Sequence, residues 1–158
     1  DIVGTDNNER YFMKKNEECY DCLKLENQFC FPLYAASRKI VKAYNPYLKP
    51  LNITYTQYIT LMVLWEEKEM RIGDLGKKLF LDTGTLTPLL KKMEDAGLLT
   101  RTRSKEDERV VFIKITEKGM ELRNKARDIP KQMGGTICLS KEEAEVMRKA
   151  LYSILKEN

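Results

Sequence analysis

The chain has 158 residues, 28 Lys and Arg against 24 Asp and Glu, four cysteines and no histidine. That length fits one domain. The net charge of +4 permits nucleic-acid binding without arguing for it, and the missing imidazole removes the usual general base and the usual nitrogen ligand of a metal. No apolar run approaches the roughly 18 residues of a membrane span and no secretory leader is seen, so the expectation is a cytoplasmic protein whose cysteines are free or reactive thiols rather than a disulfide framework.

Asp1 to Phe12 has no hydrophobic period and precedes Met13-Lys14-Lys15, which reads as a translation start. Residues 1–22 are therefore expected to be a flexible segment, partly of cloning origin. Cys19 and Cys22 form a lone C-x-x-C. Such a pair is a redox motif beside a βαβ pattern, or half a zinc site beside a second pair; Cys30 and Cys138 are not arranged that way, so neither metal nor cofactor is expected.

From Glu26 to Tyr44, Phe29, Leu33, Ile40 and Tyr44 recur at helical spacing, predicting a first helix that packs against a partner. Pro32 would remove the bond to the carbonyl of Gln28, so the helix either starts just before it, with Asn27 as cap, or kinks there. Both cases put Cys30 near a helix N-terminus, where exposed amides and the positive dipole end favour negative charge on sulfur. The plainer reading of Cys30 is a small hydrophobe on an apolar helix.

Pro46 and Pro50 mark a loop. Thr54 and Gln57 make a capping box that opens a helix from about Tyr55 to Trp65, apolar on most sides and expected at the centre of a lobe. Met70 and Ile72 are β-like and could add a short third strand. Beyond them, Leu75 and Leu79, then Leu86, Leu89, Leu90 and Met93, give two short helices one apolar stripe each. The second carries Thr83, Thr85, Thr87, Lys91 and Lys92 on its other face, polar chemistry suited to a major groove, and Gly97 stops it. Thr100 to Arg103 and Arg109 to Ile115 read as strands joined by the polar loop Ser104 to Glu108. Arg101, Arg103, Lys105 and Arg109 cluster on this hairpin. A hairpin after a helix-turn-helix is a wing, whose arginine can enter a narrow minor groove. Between Lys91 and Lys114 seven cations face five acids, so the DNA reading rests on placement rather than bulk charge.

Thr116 caps a helix bearing Met120, Leu122, Ala126 and Ile129 and ending by Pro130. Gly134-Gly135 forms a joint, and Ser140 with Glu143 opens a last helix with the stripe Met147, Ala150, Leu151, Ile154 and Leu155. The fold expected is mainly α with a small β-wing. Residues 54–116 form the winged helix-turn-helix lobe, and 23–48 and 117–158 supply helices that pair across a two-fold axis in one domain, 23–158. Such a homodimer carries two recognition helices and should bind a pseudo-palindromic duplex.

The stretch from Arg71 to Thr116 resembles the MarR family of dimeric winged-helix regulators. Asp107-Glu108-Arg109 matches the family's D-x-R signature at the wing, and Leu81-Asp82-Thr83-Gly84-Thr85-Leu86-Thr87-Pro88 is similar to the recognition-helix entry of its organic-hydroperoxide-sensing branch, OhrR. The resemblance implies that Asp82, Thr83, Thr85, Thr87, Lys91, Lys92, Arg101, Arg103, Asp107 and Arg109 belong to the DNA interface. Leu25 to Arg38 resembles that branch's first helix, apart from Pro32, and implies that Cys30 is the peroxidatic sensor. Tyr34 and Tyr44 would hydrogen-bond its sulfur, the second from the other subunit. Cys138 of the partner, or a low-molecular-weight thiol, would resolve the oxidised sulfur. The function implied by the resemblance is a repressor that senses organic hydroperoxides through Cys30 and then releases operator DNA, with no enzymatic turnover. Two alternatives stand beside it: a MarR-type regulator that answers a small phenolic or apolar ligand with Cys30 inert, and a thiol enzyme using the Cys19 and Cys22 pair or Cys30.

Overall fold

A computed structural model describes residues 20–107, 109–136 and 139–156. The chain divides into two compact units, 1–39 and 40–158. In the first, 3-10 turns at Tyr20–Leu23 and Leu25–Asn27 precede helix α1, Cys30–Ala43, which continues into the second unit. The Asn27 side chain donates to the carbonyl of Asp21 at 2.8 Å, and that of Gln28 donates to the carbonyls of Cys22 and Lys24. Asn27 thus folds the preceding turn instead of capping the helix, contrary to expectation. Pro32 falls in the first turn of α1, where its missing N–H would have had no intrahelical partner, and so it imposes no break.

The second unit corrects the loop expected at the two prolines. Pro46 opens a short helix α2, Asn45–Leu48, and Pro50 a 3-10 turn, Lys49–Leu51, each where a fixed φ suits a helix start. The capping box at Thr54 and Gln57 is formed in full and starts α3, Tyr55–Glu67. Tyr58, Leu61, Leu64 and Trp65 on α3 are buried, so it is the central helix of the lobe. Strand β1 is Glu69–Arg71; Ile72 does not extend it but opens α4, Ile72–Leu79.

Helix α5, Thr83–Asp95, crosses α4 closely: a Cβ on Gly76 would lie 2.8 Å from the carbonyl oxygen of Leu81 and 3.1 Å from Leu86 Cδ1. Gly97 follows α5 at φ +71°, the left-handed conformation that ends a helix. Strands β2, Leu99–Arg103, and β3, Val111–Ile115, pair antiparallel with Arg101 opposite Ile113, and β1 joins the far side of β3 to give the order β1-β3-β2.

Thr116 caps α6, Glu117–Ala126, and Gly119 lets this helix meet the lobe. Its carbonyl accepts the buried indole N–H of Trp65 at 2.8 Å. The single helix expected up to Pro130 is two. The chain turns after Ala126, and Pro130 sits in the first turn of α7, Ile129–Gly134, where it initiates rather than terminates. Helix α8, Lys141–Leu155, opens on the Ser140 and Glu143 capping box, and none of its residues is buried. Leu61, Leu64, Leu75, Leu86, Leu90, Met93, Leu99 and Ile113 form the fully buried centre. Among the described residues no helix is long and apolar enough to cross a membrane.

Candidate functional site: DNA-reading face and sensor thiol

Helix α5 buries Leu86, Leu90 and Met93 and leaves Thr83, Thr85, Thr87, Lys91 and Lys92 exposed. Its start is built by Asp82. One carboxylate oxygen accepts the Thr85 amide at 2.9 Å and the other accepts the Thr85 hydroxyl at 2.8 Å. These bonds, the hydroxyl's first, hold the Asp82 carboxyl below the usual carboxylate range. The Thr87 hydroxyl donates to the carbonyl of Thr83 at 2.8 Å.

The wing closes through a set of side-chain to backbone bonds. Ser104 Oγ accepts the amides of Glu106 and Asp107, and Asp107 Oδ1 accepts the amide of Arg109 at 3.0 Å. Arg109 is therefore a turn residue and the second strand begins two residues later, at Val111, because the aspartate has already folded the chain there. Arg103 and Arg109 are exposed. Arg101 behaves differently. Glu94 of α5 accepts both its amide, at 2.9 Å, and its Nε, at 2.7 Å, with the two side chains only 32% and 28% exposed. The Arg101 guanidinium holds the Glu94 carboxyl below its ordinary range.

Cys30 is the first residue of α1 and is exposed, as are Phe29, Phe31, Leu33 and Tyr34. The Tyr34 hydroxyl accepts from Arg38 Nη1 at 2.9 Å while the same guanidinium lies 5.5 Å from its ring centre. Tyr44, in the second unit, stands 4.8 Å from the ring of Tyr55 and 5.8 Å from that of Tyr58, and Tyr58 continues to Trp65 at 6.1 Å. Burial pushes the hydroxyls of Tyr55 and Tyr58 up, with Tyr44 adding to the effect. Cys138, Cys19 and Glu108 lie outside the described residues. Among the described residues no cluster of three or more acids and thiols could hold a metal.

A family profile described as transcriptional regulator SarA/Rot matches residues 42–126. Over 140 residues the chain is 50% identical to the organic hydroperoxide resistance transcriptional regulator of Bacillus subtilis, covering 89% of this chain and 95% of that one. The structure of reduced AbfR bound to DNA superposes with a TM-score of 0.71 at 32% identity, over 85% of this chain and 94% of AbfR, a protein of Staphylococcus epidermidis. A disulfide-formed AbfR superposes at 0.61, also 32% identical, over 86% and 96%. The chain belongs to the MarR family of winged-helix regulators, in its organic hydroperoxide sensing branch.

In this MarR-family chain the expected DNA-facing residues come together on one lobe, with two qualifications: Asp82 is occupied as a cap and Arg101 as an ion pair. The residues expected to form the sensor are divided, Cys30 and Tyr34 in the first unit and Tyr44 in the second. Sequence reasoning missed Glu94, which sits beside the apolar stripe of α5 and looks like any solvated acid until β2 is folded against it. It also missed the packing of Tyr55 and Tyr58 on Tyr44, because the turn at 49–52 separates them and no helical period spans it.

Proposed function

We propose that the chain is a homodimeric, cytoplasmic DNA-binding repressor whose grip on operator DNA is released when an organic hydroperoxide oxidises Cys30. The observation that carries the sensing role is the position of Cys30: an exposed thiol at the first residue of a helix, among exposed apolar and phenolic side chains. Amides at that end have no intrahelical acceptors and stabilise negative charge. The thiolate attacks the outer oxygen of the peroxide. A sulfur–oxygen bond forms, the O–O bond breaks, and the alkoxide leaves as an alcohol after taking a proton. The resulting sulfenic acid condenses with a second thiol, forming S–S and releasing water. That thiol is Cys138 of the partner subunit or a small cellular thiol. Tyr34 and the partner subunit's Tyr44 orient the sulfur through their hydroxyls. Phe29, Phe31 and Leu33 favour an organic over an inorganic peroxide.

DNA is held by Thr83, Thr85, Thr87, Lys91 and Lys92 in the major groove and by Arg103 and Arg109 on the wing. The reaction is a stoichiometric switch, not turnover. Cys30→Ser is expected to bind operator as the native protein does and to keep it after one equivalent of an organic hydroperoxide. Native protein should lose DNA and gain the mass of one oxygen, or a disulfide, at Cys30. If the native protein releases DNA with its mass unchanged, or if Cys30→Ser also lets go, the thiol is not the sensor. A bound apolar ligand then becomes the better account.

A further inference from the structure

The hydroxyls on the reading face of α5 differ in what they still have to give. A threonine hydroxyl carries one proton and two lone pairs. Thr85 has placed its proton on the Asp82 carboxylate and Thr87 on the Thr83 carbonyl, each at 2.8 Å. The direction of both bonds is forced by chemistry, since a carboxylate and a peptide carbonyl accept and have no proton to return. Both side chains are exposed, on either flank of the stripe that buries Leu86 and Leu90. Toward a ligand they therefore present lone pairs and methyl groups. Thr83, whose hydroxyl forms no bond with a described residue, keeps its proton, and Lys91 and Lys92 are pure donors.

Duplex DNA answers these two sorts of group differently. Phosphate oxygens accept, guanine shows two acceptors in the major groove, and thymine O4 accepts. The donors there are the amino groups of adenine and cytosine, and thymine adds a methyl. A hydroxyl that has spent its proton is mismatched to phosphate and to guanine, and matched to an amino group. Turning the Thr85 hydroxyl outward to reach a phosphate would also strip the Asp82 carboxylate of a donor while it faces a polyanion.

Resting on the reading of α5 as the recognition helix, we propose that Thr85 and Thr87 are base-reading residues. They accept from the exocyclic amino group of adenine or cytosine and contact the thymine methyl, while phosphate anchoring falls to Thr83, the lysines and the wing. Asp82 sets this specificity by taking the Thr85 proton, without touching DNA itself.

The test is selection from a pool of duplexes with a randomised core, using the native protein, Thr85→Val, Thr87→Val and Lys91→Ala, followed by affinity at several salt concentrations. Valine keeps the shape and removes the hydroxyl. Each valine variant should lose the preference at one base pair of each half-site and bind the native consensus about tenfold more weakly, with the salt dependence unchanged. Lys91→Ala should weaken all sequences alike and lower the salt slope by about 1. Valine variants that select the native sequence with a shallower slope overturn the proposal, because the hydroxyls would then be phosphate donors. A native protein that selects no sequence takes down the DNA reading as well.

Should Thr85→Val disturb the helix start, Thr87→Val involves no capping bond. The native protein can also be probed with duplexes whose adenines or cytosines lack the amino group, or whose thymines lack the methyl. A loss of about tenfold at one such position supports the assignment, and no loss at any position overturns it.

Discussion

The winged lobe and the terminal helices treat their apolar residues in opposite ways. In the lobe, α3, α4, α5 and the sheet enclose Leu61, Leu64, Leu75, Leu86, Leu90, Met93 and Ile113 from solvent within one chain. On α8, Val146, Met147, Tyr152, Ile154 and Leu155 stay exposed, and around Cys30 so do Phe29, Phe31, Leu33 and Tyr34. Both regions have strong helical signals, including two complete capping boxes. The difference is therefore not in local helix formation but in where the buried face finds its mate. The lobe finds it in the same polypeptide. The ends need a second subunit, and in this family a second subunit also supplies the other recognition helix.

The lobe's self-sufficiency is most sharply broken at Gly119. A Cβ there would lie 2.2 Å from the carbonyl oxygen of Leu98 and 2.8 Å from Ile115 Cγ1, and the backbone cannot give way without pulling the glycine carbonyl off Trp65. Gly119→Ala is expected to cost about 3 kcal/mol or more, read as a large fall in melting temperature. A melt within a degree or two of the native protein would mean that α6 is free to shift away from the lobe.

The complementary change is made at the other end. Met147→Lys with Ile154→Lys places two charges on the exposed stripe of α8, whose members lie outside the buried core. Sedimentation should show monomers in place of dimers, with operator affinity falling at least 100-fold, since a lone lobe loses the second half-site. Its melt should keep the cooperative transition of the lobe. A dimer that survives both lysines would assign the two-fold contact to α1 and leave α8 with another role.

Within the lobe, two arginines on the same hairpin separate binding from building. Arg109 is exposed at the turn, whereas Arg101 is taken up by Glu94. Arg109→Ala should weaken operator binding by ~1 to 3 kcal/mol and lower the salt slope by about 1. Asp107→Ala should weaken it too, because the Arg109 amide loses its acceptor and the turn loosens. Arg101→Gln should leave the slope untouched and loosen the wing base instead, seen as faster amide exchange in β2. Equal slopes for Arg101→Gln and Arg109→Ala variants, both below native, would put Arg101 on the DNA after all.

Legibility followed the same division. Periodicity and capping residues located α3, α4, α5 and α8, because those signals are local: Thr54 and Gln57, or Ser140 and Glu143, need no knowledge of distant residues. In sequence Pro46 and Pro50 suggest a loop and Pro130 a helix end, although each falls in the first turn of a helical segment, since the same ring that ends one helix suits the start of the next. The candidate site was legible as a set of residue types on α5 and the wing. Which of them had protons or charges left over was not. That depends on pairings across a fold, Glu94 with Arg101, or on a single rotamer, Thr85 with Asp82. The Cys30 environment was visible through its likeness to a known first helix more than through its own pattern, where an exposed thiol and a packed one look alike.

The smallest expected effect lies at the point where the fold and the reading face meet. Asp82 accepts two bonds from Thr85, and these hold its carboxyl below the usual range in the folded protein. A carboxyl whose folded value is depressed stabilises the fold at pH above its unfolded value, and the contribution is lost as pH falls through the folded one. Native protein should therefore show a shallow loss of stability and of operator sequence preference on the acid side of the ordinary carboxylate range. Asp82→Asn keeps an oxygen able to cap the Thr85 amide but cannot titrate. Its melting temperature at neutral pH should fall slightly, its acid limb should flatten relative to native, and preference at the base pair facing Thr85 should relax while the salt slope stays the same. An acid limb identical in the two proteins would show that Asp82 is a cap of neutral strength. The start of α5 would then be held by a hydrogen bond to the side-chain oxygen that owes nothing to its charge.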